Sequence, residues 1–238
     1  MKKYLKTPRA VRLATLFAMI PAISLGGCGQ QTECEKSIDT AMGTVVSQTV
    51  YVTGNSPTAT NGKADDKITD VALRKLNDLE QQELSWRLDS AEVAKINAAA
   101  GKGQIQVSTA MAGWLERCLQ ISEQTGGAFD VSIGKLSRLW DIDTWAAADD
   151  PQDYELPGRE EIEQALASAG WQQMILEQRT ESMAVSIPAG MQIDLGAVGK
   201  GVALDEIRKT LEEHPKVSGA VISVGGSILT YGSKPEGG

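Results

Sequence analysis

The stretch Ile193-Asp194-Leu195-Gly196-Ala197-Val198-Gly199-Lys200-Gly201 restricts the fold more than any other part of this chain. An apolar extended run ends at an acid, glycines turn the chain, and a helix opens with a lysine in its first turn. Glycine lets backbone approach a ligand closely, and a helix N-terminus offers unpaired N–H groups that favour phosphate. The spacing is not that of a P-loop, since no Ser or Thr follows Lys200, and it does not match the dinucleotide fingerprint in register. A tight strand-to-helix turn whose glycines serve packing alone accounts for the stretch equally well. On both readings a strand feeds directly into a helix, and other elements must cover the apolar side of each.

Those other elements are legible from their periodicity. Thr40 to Val52 alternates and is rich in Val and Thr, the pattern of a strand, and Thr53 to Asp65 is a loop of Gly, Asn and Pro. Ile68, Val71, Ala72, Lys75, Leu76 and Leu79 recur at helical spacing, which predicts a helix over Asp66 to Gln82. A short helix follows Asp89, with Glu92 placed to close a capping box. Ser108 is set to cap a longer helix that buries Met111, Leu115 and Cys118 and stops at Gly126-Gly127. On that face Cys118 is a small buried hydrophobe, not a nucleophile. Trp145 to Gly158 is an acidic excursion, a linker or lid, and Glu160 to Ala169 is helical again. Trp171 to Glu177, Met183 to Ile187 and Met191 to Leu195 read as three short antiparallel strands. A helix over Val198 to Glu213 and strands over Gly219 to Val224 and Ser227 to Tyr231, separated by Gly225-Gly226, complete the order. Strands and helices mix without regular alternation, so the fold class is α+β, with a mainly antiparallel sheet and packed helices.

Charge and composition exclude several functions. The net charge is −8, while Lys2, Lys3, Lys6, Arg9 and Arg12 stand in the first 27 residues without an acid, so the remainder is more acidic than the total. Such a body does not track a phosphate backbone, and nucleic acid is not expected as a partner. His214 is the single histidine, which excludes a histidine-rich zinc site.

The basic start precedes an uncharged apolar run, Leu13 to Gly27, shorter than the roughly 20 residues that span a bilayer. It reads as a signal peptide. Its end, Leu25-Gly26-Gly27-Cys28, resembles a bacterial lipobox, so Cys28 is the expected lipidation site and the mature protein is expected on the extracytoplasmic face of a membrane, held by a lipid anchor. The expected organisation is a signal peptide over 1–27, a polar tether over 28–39 and one domain over 40–238. Cys34 in the tether and Cys118 in a helix are far apart in sequence and make a weak disulfide pair.

Four segments combine glycine with polar residues at strand ends: Ala41-Met42-Gly43-Thr44, Gly126-Gly127-Ala128-Phe129-Asp130, the stretch 193–201, and Val224-Gly225-Gly226-Ser227. Taken in order, with Ser85-Trp86-Arg87-Leu88-Asp89-Ser90-Ala91-Glu92 and Asn97 between the first two, they resemble the ApbE family of flavin transferases across Thr40 to Tyr231. The resemblance implies an ApbE-like, T-fold-related architecture. It implies a magnesium-dependent enzyme that breaks the pyrophosphate of FAD and joins FMN to a threonine hydroxyl of a target protein, releasing AMP. The implied acceptors are flavoproteins of membrane redox complexes.

Carried over residue by residue, the resemblance places Met42 and Trp86 against the flavin. It places Ala128, Phe129 and Asp130 in an FAD-contacting segment, although Asp130 reads equally well as a helix cap. Asp194 and Lys200 become FAD contacts, Lys200 being suited to charge on the bridging oxygen of a pyrophosphate. Ala197 becomes a magnesium ligand through its backbone oxygen, a hard neutral donor of the kind Mg²⁺ accepts.

Family members continue past the position of Gly238 through segments that bring metal carboxylates. The chain is therefore expected to be incomplete at its C-terminus, with its main catalytic and metal-binding carboxylates beyond Gly238. Two other readings stand beside the transferase: a magnesium-dependent FAD pyrophosphatase, in which water replaces threonine, and a flavin-binding lipoprotein without turnover.

Overall fold

The structure, a computed structural model, describes residues 32–54, 66–147, 155–180 and 182–235. The expected signal peptide, the lipidation site Cys28, most of the loop after Thr53 and part of the acidic excursion lie outside these residues. Two units are distinguished, 1–30 and 31–238, and only the second contains described residues.

A four-stranded antiparallel sheet carries the second unit, in the order β1-β2-β6-β7. Strand β1 (Thr32–Ala41) pairs along its whole length with β2 (Thr44–Thr53), β2 pairs with β6 (Val217–Val224), and β6 with β7 (Ser227–Gly232). Alternation sends Val46, Gln48 and Val50 of β2 and Ala220, Ile222 and Val224 of β6 to one buried face. That face is covered by α1 (Ile68–Leu79) and α7 (Gly196–Glu212), whose apolar stripes (Ala72, Leu76 and Leu79 on α1; Ala203, Ile207 and Leu211 on α7) form the centre of the core. Lys75 Nζ stands 3.5 Å from Glu206 Oε2 and joins the two helices at their rim. Two buried polar side chains tie α1 to the sheet. Glu35 accepts the N–H of Thr69 at 3.2 Å, at the helix N-terminus where a carboxylate is favoured, and Gln48 Nε2 donates to the Thr69 carbonyl at 3.0 Å.

The remaining elements include α2 (Glu92–Ala98), β3 (Ile105–Val107), α3 (Thr109–Gln124), α4 (Gly134–Trp140), α5 (Ile142–Ala147) and α6 (Arg159–Leu166). Strands β4 (Ile175–Gln178) and β5 (Met183–Ser186) join β3 in a three-stranded antiparallel sheet, order β3-β5-β4. Ser108 Oγ accepts the N–H of Met111 at 3.0 Å and caps α3 as expected. Cys118 is buried on that helix, and burial pushes its thiol up to about 11. Cys34 and Cys118 are both free. Among the described residues no helix is long and apolar enough to cross a membrane.

Four sequence expectations are corrected. Residues 32–39, expected as part of a tether over 28–39, form most of β1, because their backbone pairs with that of the Val- and Thr-rich β2 whatever the polarity of their side chains. The domain therefore begins before residue 40. The capping box of Asp89 and Glu92 is not formed: α2 begins at Glu92, whose carboxylate accepts the N–H and Oγ–H of Ser108 at 3.1 and 3.2 Å. The helix expected through Gln82 passes into a π-helical turn, Glu80–Leu84. Met191 to Leu195 alternates in burial but makes only an isolated parallel bridge, between Gln192 and Ile133.

Candidate functional site

Two tight turns meet at one end of the large sheet. Met42 and Gly43 join β1 to β2 with φ of 53° and 68°, and Gly225 and Gly226 join β6 to β7 with φ of 53° and 92°. Positive φ at both central residues is the condition of the type I′ hairpin turn, whose twist suits the flanking strands. Glycine meets it without strain, but Met42 does not. A bulky residue held in the left-handed region is uncommon and is found where surrounding structure over-determines it. Here the Met42 N–H donates to Glu80 Oε2 at 3.0 Å, so the π-helical turn after α1 holds the hairpin. π-Helical turns recur at functional sites.

The two turns are bound to each other and to α7. Gly225 N–H donates to the Val45 carbonyl at 3.0 Å. A Cβ placed on Gly225 would lie 2.6 Å from Thr44 Oγ1 and 3.1 Å from Lys200 Cε, so the lysine stem packs on the glycine turn. A Cβ on Gly199 would meet Met42 Cε at 3.7 Å and Leu84 Cδ1 at 3.8 Å, ordinary contact distances, which places the Met42 thioether over the first turns of α7. Asp194, half-buried, accepts the N–H of Gly196 on Oδ1 at 2.7 Å and so organises the entry to the helix.

Met42, Trp86, Asp194 and Lys200 thus line one cavity of about 160 Å³, together with Glu80 and Arg87. A second cavity of about 440 Å³ shares Trp86 and Arg87 and continues past Asn97, Arg138 and Gln192. In an acidic protein, Lys200, Arg87 and Arg138 give this region cations suited to phosphate oxygens. A cavity of about 450 Å³ lies between α1 and the α7–β6 connection, lined by Glu35, Ile68, His214 and Lys216, and holds none of the expected site residues.

Trp86 is not an open platform. The guanidinium carbons of Arg87 and Arg138 lie over its ring at 4.0 and 4.5 Å from the centroid, and Arg138 Nη2 reaches the Trp86 carbonyl at 3.5 Å. A flavin stacked on this indole shares the ring with these cations or displaces one of them.

The Gly126–Asp130 segment lies outside the lining of both cavities. Ala128 is exposed and Phe129 packs against the core. Asp130 closes a turn: Oδ1 accepts the N–H and Oγ–H of Ser132 at 2.7 and 2.6 Å, and Oδ2 accepts the N–H of Trp171 at 3.3 Å. The next residue joins the site through backbone: the Asp194 N–H donates to the Val131 carbonyl at 2.8 Å. Ala197 stands exposed in the first turn of α7. Its carbonyl faces the N–H four residues on in a regular helix, and among the described residues no three His, Cys, Asp or Glu side chains gather as metal ligands. The described residues do not by themselves fit a Mg²⁺ site. Glu80, Arg87 and Arg138 were not singled out from the sequence. Nothing local marks Glu80 or Arg138, whereas Arg87 adjoins Trp86 and a cation beside a cofactor-contacting aromatic is a usable signal.

A sequence model of the ApbE family matches residues 42–238. The FAD:protein FMN transferase of Treponema pallidum (strain Nichols) is 33% identical over 165 residues, which cover 66% of this chain and 42% of that protein. The FAD:protein FMN transferase of Haemophilus influenzae is 24% identical over 228 residues, covering 94% of this chain and 62% of that protein. Among solved structures, the ApbE protein of Thermotoga maritima superposes with a TM-score of 0.66 at 25% identity, over 85% of this chain and 60% of that one. The apo flavinyl transferase ApbE of Pseudomonas stutzeri gives a TM-score of 0.69 at 21% identity, over 87% and 60%. This chain therefore spans less than two thirds of the length of each of these proteins.

Proposed function

Because the chain belongs to the ApbE family, we propose that it binds FAD at the turn-bearing end of its large sheet and takes part in moving the FMN half onto a protein. In the proposed reaction a threonine hydroxyl of a target flavoprotein attacks the FMN-side phosphorus. The P–O bond to the bridging oxygen breaks, AMP leaves with the electron pair, and the hydroxyl proton passes to solvent. The observation that carries this reading is the convergence of Met42, Trp86, Asp194 and Lys200, from three separate segments, on one cavity. Lys200 would stabilise charge growing on the bridging oxygen, and the Met42 thioether is a soft partner for a ring face. By the resemblance, Ala128, Phe129 and Asp130 would contact FAD from just before Val131, whose carbonyl accepts the Asp194 N–H. The resemblance implies Mg²⁺ with Ala197 as a backbone ligand, and the carboxylates that would complete such a site are not gathered among the described residues.

The test is incubation of the protein, expressed from its whole gene, with FAD, Mg²⁺ and a threonine-bearing acceptor domain, read as flavin fluorescence on the denatured acceptor. Fluorescence that remains with the acceptor is expected. Free FMN and AMP with an unlabelled acceptor would assign hydrolysis instead, and intact FAD would leave binding without turnover.

The acceptors would be flavoproteins of membrane redox complexes, and the enzyme would sit on the extracytoplasmic face of the membrane through acyl chains on Cys28. Each buried methylene contributes about 0.8 kcal/mol to such an anchor. A Cys28→Ser chain is expected in the soluble fraction, and its retention with membranes would contradict the anchor.

A further inference from the structure

We propose that Asn97 is a positioning residue of the FAD site, acting through the backbone that presents Asp194. This inference rests on the reading of the cavity as the FAD site. Two successive peptide planes lead into Asp194, and each is held at both of its polar ends. In the first, the Gln192 carbonyl accepts the Gly134 N–H at 2.8 Å and the Ile193 N–H donates to Asn97 Oδ1 at 2.7 Å. In the second, the Ile193 carbonyl accepts from Asn97 Nδ2 at 2.9 Å and the Asp194 N–H donates to the Val131 carbonyl at 2.8 Å. One edge of the segment is thus satisfied by the backbone of residues 131–134, and the other by a single side-chain amide.

An amide is suited to this place because it carries a donor and an acceptor, and so replaces the neighbouring strand that this edge lacks. Ile193 is fully buried, so water does not substitute for either bond. Aspartate offers no donor to the Ile193 carbonyl, and alanine offers neither group. The orientation matters because the Asp194 carboxylate also accepts the Gly196 N–H. A tilt of the preceding peptide would therefore move both the acid and the first turn of α7, which carries Lys200. Asn97 itself lines the neighbouring cavity with Trp86 and Arg138, so the clamp sits where the site is assembled.

The experiment compares Asn97→Ala and Asn97→Asp with Ile207→Val, a conservative change on the buried face of α7, in the full chain. Dissociation constants for FAD come from flavin fluorescence, the fold from circular dichroism, and local opening from amide deuterium exchange of the peptide containing Ile193. Both Asn97 variants are expected to fold and to raise the FAD dissociation constant by about tenfold or more, while Ile207→Val leaves it within about twofold. Exchange should accelerate at Ile193 and Asp194 and stay unchanged in α3. FAD affinity within about twofold of the parent in either folded variant overturns the positioning role. Failure of both variants to fold also overturns it, making Asn97 a folding residue. A parent chain that shows no saturable FAD binding removes the FAD reading itself, an outcome told apart because it requires no variant.

Discussion

Gly225→Ala is expected to lower stability by about 3 kcal/mol and to weaken FAD binding in whatever remains folded. Two costs combine. The residue has φ +53°, where an L side chain pays about 1 to 2 kcal/mol against its own carbonyl. The new methyl would also stand 2.6 Å from Thr44 Oγ1 and 2.9 Å from Thr44 Cγ2, and relieving that overlap in a packed turn adds about 1 to 3 kcal/mol. For a chain of this size the melting temperature should fall by about 6 to 12 °C. The functional effect follows from the third contact, Lys200 Cε at 3.1 Å: whatever shifts to admit the methyl also displaces the lysine. Gly226→Ala separates the two costs. Its φ is +92°, but a Cβ there meets nothing within 4 Å, so the backbone cost alone applies and Lys200 stays in place. Thermal denaturation of the two variants checks the account. A Gly225→Ala chain melting with the parent would show that the turn does not depend on this packing.

Asp130→Ala is expected to cost about 2 to 4 kcal/mol. Its carboxylate accepts both donors of Ser132 and the N–H of Trp171, while Ser132 Oγ, buried, accepts the N–H of Gly170 at 2.7 Å. Removing the carboxylate leaves these donors without their acceptor and loosens the join between the segment after α3 and the 3₁₀ turn Trp171–Gln173. Asp130→Asn keeps an oxygen for Ser132 but turns an N–H₂ toward the Trp171 N–H, so it should cost about half as much. A turn role and an FAD contact are distinguished by measuring melting temperature and FAD affinity on both variants. Stability lost in step with the hydrogen bonds supports the turn. FAD affinity lost in a fully stable Asp130→Asn chain would assign the carboxylate to the ligand.

The parts of this fold legible in sequence are those fixed by neighbours along the chain. The Ser108 cap, the glycine stop after α3 and the apolar stripe of α1 each depend on residues within two turns. What was missed depends on distant partners. Thr32 to Asp39 is polar and reads as tether until β2 pairs with it, and Glu92 reads as a local cap until Ser108 claims its carboxylate. Met191 to Leu195 has the burial pattern of a strand, yet one of its edges is closed by the side chain of Asn97, which no periodicity encodes. The site shows the same division. Met42, Trp86, Asp194 and Lys200 came from an ordered set of motifs. The hold of Glu80 on the Met42 turn and the two guanidinium groups over Trp86 arise only from tertiary proximity.

The most direct test of FAD binding at this end of the sheet is a flavin-fluorescence titration of the parent chain, Lys200→Ala and Trp86→Ala. The account predicts saturable one-to-one binding by the parent, lost or weakened in Lys200→Ala, and weakened by about 1 to 3 kcal/mol in Trp86→Ala through loss of a ring contact. No saturable binding by the parent, or affinity equal to the parent's in both folded variants, would contradict it.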